Sequence, residues 1–147
     1  PAKFAQAMIA AKLKGAIVPD VPPEEGEEYL TAMKDQDLAP IFIFAPNSSD
    51  ERMKKIAAHA KGFVYCVARK GVTGAKTDFS KDLDAYLARC RQATDLPLAL
   101  GFGVKDKADV DFLKGKADIA VMGSQALRVV AEKGVEAVGD YVAELVA

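Results

Sequence analysis

Leu98-Ala99-Leu100-Gly101-Phe102-Gly103 sets the reading of the whole chain. The run is apolar without polar alternation and stops at glycine, the pattern of a strand covered on both faces that ends in a tight turn. The same arrangement occurs twice more. Phe63-Val64-Tyr65-Cys66-Val67 leads into Arg69-Lys70-Gly71-Val72-Thr73-Gly74, and Ile119-Ala120-Val121-Met122 leads into Gly123-Ser124-Gln125. Glycine lacks a Cβ, tolerates φ > 0 and lets backbone approach an oxyanion closely. Taken singly, such turns are ordinary strand-to-helix punctuation. Three of them at the ends of buried strands predict N–H groups converging on one anion, a phosphate site at one end of a parallel sheet.

Two further apolar runs, Ala16-Ile17-Val18 and Ile41-Phe42-Ile43-Phe44, precede these three, and amphipathic helices alternate with all five. Pro22 and Pro23 followed by Glu24, Glu25, Glu27 and Glu28 place proline and negative charge in a first helical turn, with Tyr29, Leu30 and Met33 on the buried side. Ser48 and Glu51 have the spacing of a capping box ahead of Met53, Ile56, Ala57 and Ala60. Leu83, Tyr86, Leu87 and Cys90 mark another helix, Val110 and Leu113 a short one. The chain opens at Pro1, without an initiator Met, directly in an Ala-rich helical stretch, and reads as starting inside a larger fold. Five βα repeats give an α/β fold, either an open doubly wound sheet or a barrel. A closed (β/α)8 barrel takes about 250 residues, roughly 31 per unit. The 147 residues hold about five such units, so they cannot close an eight-stranded barrel alone.

Composition excludes several functions. The 147 residues are half hydrophobic, with 20 Lys and Arg against 21 Asp and Glu and a formal net charge of −1, so nucleic acid and membrane surfaces are not expected partners. No apolar run approaches the roughly 20 residues of a membrane span, and no signal-peptide pattern opens the chain. Cys66 and Cys90 lack any metal-like spacing and read as buried thiols sharing a core layer in a reducing cytoplasm. His59 falls off the apolar face of its helix and reads as a surface residue. Asp20 reads slightly better as a cap for the helix after Pro22 than as a ligand contact.

Six segments in order carry a family resemblance: Val18-Pro19-Asp20-Val21-Pro22-Pro23-Glu24-Glu25, Pro40-Ile41-Phe42-Ile43-Phe44-Ala45-Pro46-Asn47, Gly62-Phe63-Val64-Tyr65, Gly71-Val72-Thr73-Gly74, Leu100-Gly101-Phe102-Gly103-Val104 and Val121-Met122-Gly123-Ser124. Together they resemble the tryptophan synthase α chain, a TIM barrel, from its third barrel helix through strands four to eight, which implies one partial (β/α)-barrel domain over residues 1–147, about five units with the N-terminal strands missing. The resemblance implies retro-aldol cleavage of indole-3-glycerol phosphate to indole and glyceraldehyde 3-phosphate, in tryptophan biosynthesis.

It further implies that Gly74, Gly103, Gly123 and Ser124 hold the substrate phosphate, that Ile17 and Ile43 line the indole pocket, and that Tyr65 faces the substrate. Strand parity agrees, with Tyr65 and Val67 inward and Val64 and Cys66 towards helices. Arg69 and Thr73 would lie in the loop that closes over the substrate, Thr73 supporting a catalytic aspartate. That aspartate and the proton-moving glutamate fall in the part of the family that this chain does not contain. Among the acids present, Asp20, Asp50 and Glu51 lie nearest strand ends, and none matches a catalytic position. The chain alone is therefore expected to be inactive.

The family acts as a heterotetramer in which the β chain carries pyridoxal phosphate, so no cofactor is expected here. Val18-Pro19-Asp20-Val21-Pro22 resembles part of the docking surface for that β chain. The alternatives are a non-catalytic phosphate-binding or assembly module, and a stand-alone indole-glycerol-phosphate lyase.

Overall fold

The computed structural model describes residues 1–67, 79–101 and 103–147, with backbone alone for residues 79–81. Six short strands alternate with seven α-helices among these residues. Strand β1 is Gly15–Ile17, β2 Ala39–Ile41, β3 Ile43–Phe44, β4 Val64–Val67, β5 Leu98–Gly101 and β6 Ile119–Val121. The helices are α1 Ala2–Ala10, α2 Glu27–Asp35, α3 Asp50–Ala57, α4 Phe79–Ala93, α5 Lys107–Leu113, α6 Ser124–Lys133 and α7 Ala137–Val146.

All strand pairs are parallel, β1 with β2 and then β3-β4-β5-β6, in sequence order. One expected strand is in fact two. Residues 39–41 pair with β1, whereas Ile43 and Phe44 pair with β4, so one stretch of chain changes partner across Phe42. The Phe42 carbonyl still accepts the N–H of Tyr65 at 2.9 Å, which keeps the two ladders joined at that point.

Register decides what each face carries, because paired residues of a parallel sheet share a face. Phe44, Cys66 and Leu100 form one row towards the helices, and each is completely buried. Met53 and Ile56 from α3, Leu83, Tyr86, Leu87 and Cys90 from α4, and Leu113 from α5 pack against this row. The Tyr86 hydroxyl, buried among them, donates to the Phe44 carbonyl at 2.8 Å. A second core joins Ala5 and Met8 of α1 to Tyr29 and Met33 of α2 and to Leu38, with Leu30 packed against both cores.

The opposite face carries Ile43, Tyr65, Ala99 and Ile119 in one register row. Here burial is incomplete: Tyr65 and Val67 are half-buried while Val64 and Cys66 are fully enclosed. The inward and outward parity expected for β4 thus holds, and the inward side is the open one.

Helix starts correct two readings. The cap of α3 is Ser49, whose hydroxyl accepts the Arg52 N–H at 3.1 Å, and not Ser48 one residue earlier. Pro23–Glu25 form a separate 3-10 turn, and α2 begins only after Gly26, where Val21 and the Pro22 carbonyl leave no room for a side chain. Asp20 caps neither: no side chain caps this turn or α2, and Asp20 is exposed. His59 is exposed, as expected from its helical phase.

Candidate functional site

The C-terminal ends of β4, β5 and β6 enclose a cavity of about 430 Å³. Such strand ends are where parallel α/β folds gather their chemistry, because the following loops are free to vary while the sheet holds them in place. Tyr65, Gly101, Gly103, Gly123, Ser124 and Arg128 are among its walls, with Lys105 and Gln125 beside them. Of the expected site residues, the structure brings Tyr65, Gly103, Gly123 and Ser124 to this one cavity.

Gly103 has φ +68°, a conformation that a side chain strongly disfavours, and among the described residues nothing lies within 4 Å of where its Cβ would stand. The turn therefore needs glycine and leaves open space above it. Gly123 differs: its φ is −118°, so conformational freedom is not its role. It also has nothing within 4 Å of a would-be Cβ, which leaves its backbone bare to the cavity.

Gly123 is the N-cap of α6, and no side chain caps that helix. Its first-turn N–H groups are left for another acceptor, and the helix dipole adds partial positive charge at the same end. Side chains cap α3 through Ser49 and α5 through Asp106, whose carboxylate accepts the Asp109 N–H at 3.0 Å, whereas α1, α2 and α7 resemble α6 in lacking such a cap. A phosphate on α6 would meet N–H groups, the Ser124 hydroxyl and a positive dipole end together.

Tyr65 is held by its register partners Ile43 and Ala99 and reaches along the sheet to Gly101. A Cβ at position 101 would fall 3.0 Å from Tyr65 Cε1 and closer still to the hydroxyl end of the ring. Gly101 therefore makes room for Tyr65, a role that its place in a glycine turn did not suggest. It belongs to β5, paired with Val67 and Val121.

Ile43 sits directly beside Tyr65 in register, and Ile17 pairs with Ile41 two residues before Ile43, so Ile17, Ile43 and Tyr65 share one face. Neither isoleucine lines the 430 Å³ cavity. Ile17 is 38% exposed, leaving an apolar approach to Tyr65 rather than a closed pocket. Arg69, Thr73 and Gly74 lie outside the described residues.

The segment after β5 is fixed at both ends of one residue. Lys105 N–H donates to the Asp109 carboxylate at 3.1 Å, and its carbonyl accepts the Tyr141 hydroxyl of α7 at 2.5 Å. Burial, then Asp106 and Asp109, raises the Tyr141 hydroxyl above its ordinary pKa, which keeps it a donor.

The cysteines offer no second site. Cys66 and Cys90 are unpaired and completely buried in one core. Hydrogen bonding to Cys90, then burial, pushes the Cys66 thiol well up, away from a nucleophilic thiolate. Among the described residues there is no cluster of three or more metal-ligating side chains and no helix long and apolar enough to cross a membrane.

Comparison with known proteins places this geometry. The profile of the family described as "Tryptophan synthase alpha chain" matches residues 1–145. The chain belongs to the tryptophan synthase alpha chain family. It is 61% identical over 142 residues to the tryptophan synthase alpha chain of Desulforapulum autotrophicum, covering 97% of this chain and 56% of that one. Among solved structures, the tryptophan synthase subunit alpha of Campylobacter jejuni is similar with a TM-score of 0.85 at 26% identity, over 98% of this chain and 58% of that one. Mycobacterium tuberculosis tryptophan synthase gives 0.84 at 30% identity, over 98% and 55%. The chain thus spans a little over half the length of these relatives, and its parallel βα units are part of a TIM barrel.

Proposed function

We propose that this chain supplies the phosphate grip and part of the indole-facing wall of a tryptophan synthase alpha subunit, a lyase that cleaves indole-3-glycerol phosphate to indole and glyceraldehyde 3-phosphate. The observation that carries the proposal is the uncapped N-terminus of α6 opening onto the cavity that Gly103 and Tyr65 also line. Gly103, Gly123 and Ser124 hold the phosphate through backbone N–H groups and the Ser124 hydroxyl, with Gly74 completing the grip from the loop after β4. Tyr65 lies between that anchor and the apolar face of Ile43 and Ile17, against which the indole ring stacks.

Anchoring the phosphate fixes the glycerol carbons relative to the ring, so the bond to be broken is presented in one orientation. Cleavage then needs a proton delivered to the indole ring carbon and a carboxylate to stabilise the charged ring. Among the described residues no acid lines the cavity. Those carboxylates come from beyond the 147 residues, in keeping with relatives almost twice as long as the matched part. Arg69 and Thr73 support loop closure over the bound substrate.

No cofactor acts in this chain; pyridoxal phosphate belongs to the β chain, the partner in a cytoplasmic heterotetramer. The exposed Pro19-Asp20 corner, anchored by half-buried Val18 and Val21, is part of the surface that meets it. The phosphate reading is tested by titrating sn-glycerol 3-phosphate into the protein and following backbone amide shifts. Saturable shifts at Gly103, Gly123 and Ser124 are expected. Shifts absent there, or spread evenly over the surface, would refute it.

A further inference from the structure

We infer that Arg128, with Lys105 in the same cavity wall, is a direct ligand of the anion in this cavity and sets its preference for phosphate esters. The inference rests on the phosphate reading of the cavity. It goes beyond the backbone grip by giving the site charged side chains of its own.

Helix phase supplies the first reason. Arg128 follows Ser124 by four residues, which places it on the same face of α6, one turn of about 5.4 Å further on. Helical side chains lean back towards the N-terminus, so a long residue at this position covers the turn before it. That turn carries the uncapped N–H groups. Arg128 accordingly appears among the walls of the cavity although its own Cα lies beyond the opening turn.

Charge supplies the second. The chain as a whole is almost balanced, with one more acid than base. The cavity is not: among the described residues its walls include two cations, Arg128 and Lys105, and no carboxylate. Among the described residues neither cation makes an ion pair within 4 Å, so neither charge is already neutralised by a carboxylate there.

Anchoring supplies the third. The Lys105 backbone is held by Asp109 and Tyr141 on its N–H and carbonyl, which fixes the residue in the cavity wall. Arginine can meet two phosphate oxygens at once through its planar fork, whereas the lysine acts as a point charge. The two line one cavity, Lys105 from the segment after β5 and Arg128 from α6, and two cations suit a terminal phosphate dianion.

The test is calorimetric titration of the wild-type protein and of Arg128→Gln, Arg128→Lys and Gly103→Val with sn-glycerol 3-phosphate. Arg128→Gln is expected to weaken binding about tenfold, equal to ~1.4 kcal/mol, with Arg128→Lys recovering part of the loss. Circular dichroism melts unchanged from wild type separate a lost ligand from a lost fold, since Arg128 is exposed and packs no core. Wild-type affinity in Arg128→Gln alongside weakened binding in Gly103→Val would overturn the inference and leave the phosphate site standing. No binding by the wild-type protein would overturn both.

Discussion

The ring of Tyr65 occupies the space that a side chain at position 101 would need, so the aromatic wall of the cavity depends on a glycine in the neighbouring strand. Gly101→Ala should therefore displace Tyr65 from the cavity rather than merely stiffen β5. Because Tyr65 is half-buried and can swing outward, the stability cost should stay near the lower end of the ~1–3 kcal/mol typical of overpacking. Tyrosine fluorescence and sn-glycerol 3-phosphate affinity should both change. An unaltered Tyr65 environment in the alanine variant would contradict the arrangement.

At Gly103 strain and blockage coincide. Its φ of +68° makes any side chain unfavourable by roughly 1 kcal/mol, and the open space above it is where the proposed phosphate would sit. Gly103→Ala should lower stability by about that amount. Gly103→Val should also weaken phosphate binding by more than its loss of stability explains, as seen by comparing melting temperature with titration.

The Tyr86 hydroxyl donates to the Phe44 carbonyl within the helix-side core. Tyr86→Phe should cost about 1–2 kcal/mol, because a buried carbonyl loses its side-chain partner while packing stays the same. Urea unfolding should show a lower midpoint with an unchanged slope. A changed slope would point instead to altered compactness.

Asp118 ties β5 to β6 from outside the ladder. Its carboxylate accepts the Leu98 N–H at 2.7 Å and meets Arg91 at 2.5 Å, and the Leu98 bond, then Arg91, holds its pKa below the ordinary carboxylate value. A folded pKa below the unfolded one stabilises the protein fully above the unfolded value of about 3.9 and loses that stabilisation as pH falls through the folded one. Melting temperature should therefore drop as pH goes from 5 towards 3, and part of that drop should vanish in Asp118→Asn. Asp37 and Asp111, lowered by Lys61 and by Lys107 with Lys114, supply some of the remainder.

The open face of the sheet should govern behaviour in solution. Ile17 and Ile119 are 38% and 40% exposed, and β1 and β6 each have one strand partner among the described residues. Apolar rows and unpaired strand edges favour association. Sedimentation of the 147-residue chain alone should show oligomers or concentration-dependent mass. A cooperative, strictly monomeric species would count against this account of the face.

The strands were legible because each is a short apolar run, three of them leading into glycine turns, and the family because six segments stand in order. The change of pairing partner across Phe42 was not, since four apolar residues in a row carry no mark of which neighbour they bond. The cap of α3 slipped by one because Ser48 and Ser49 are adjacent, and only backbone geometry separates them. Gly103 and Gly123 looked equivalent in sequence, yet only Gly103 has positive φ. Arg128 and Lys105 went unremarked, because helix phase becomes informative only once Ser124 is known to open α6. The i, i+4 spacing from Ser124 was the available signal.

Indole release from indole-3-glycerol phosphate tests the central claim most directly, measured for the 147-residue chain alone and with the remaining part of the Desulforapulum autotrophicum alpha chain supplied by co-expression. A phosphate grip without its proton-moving carboxylates predicts no turnover above background for the chain alone, and measurable turnover once the other part is present. Robust turnover by the chain alone would contradict the account and require a base among these 147 residues.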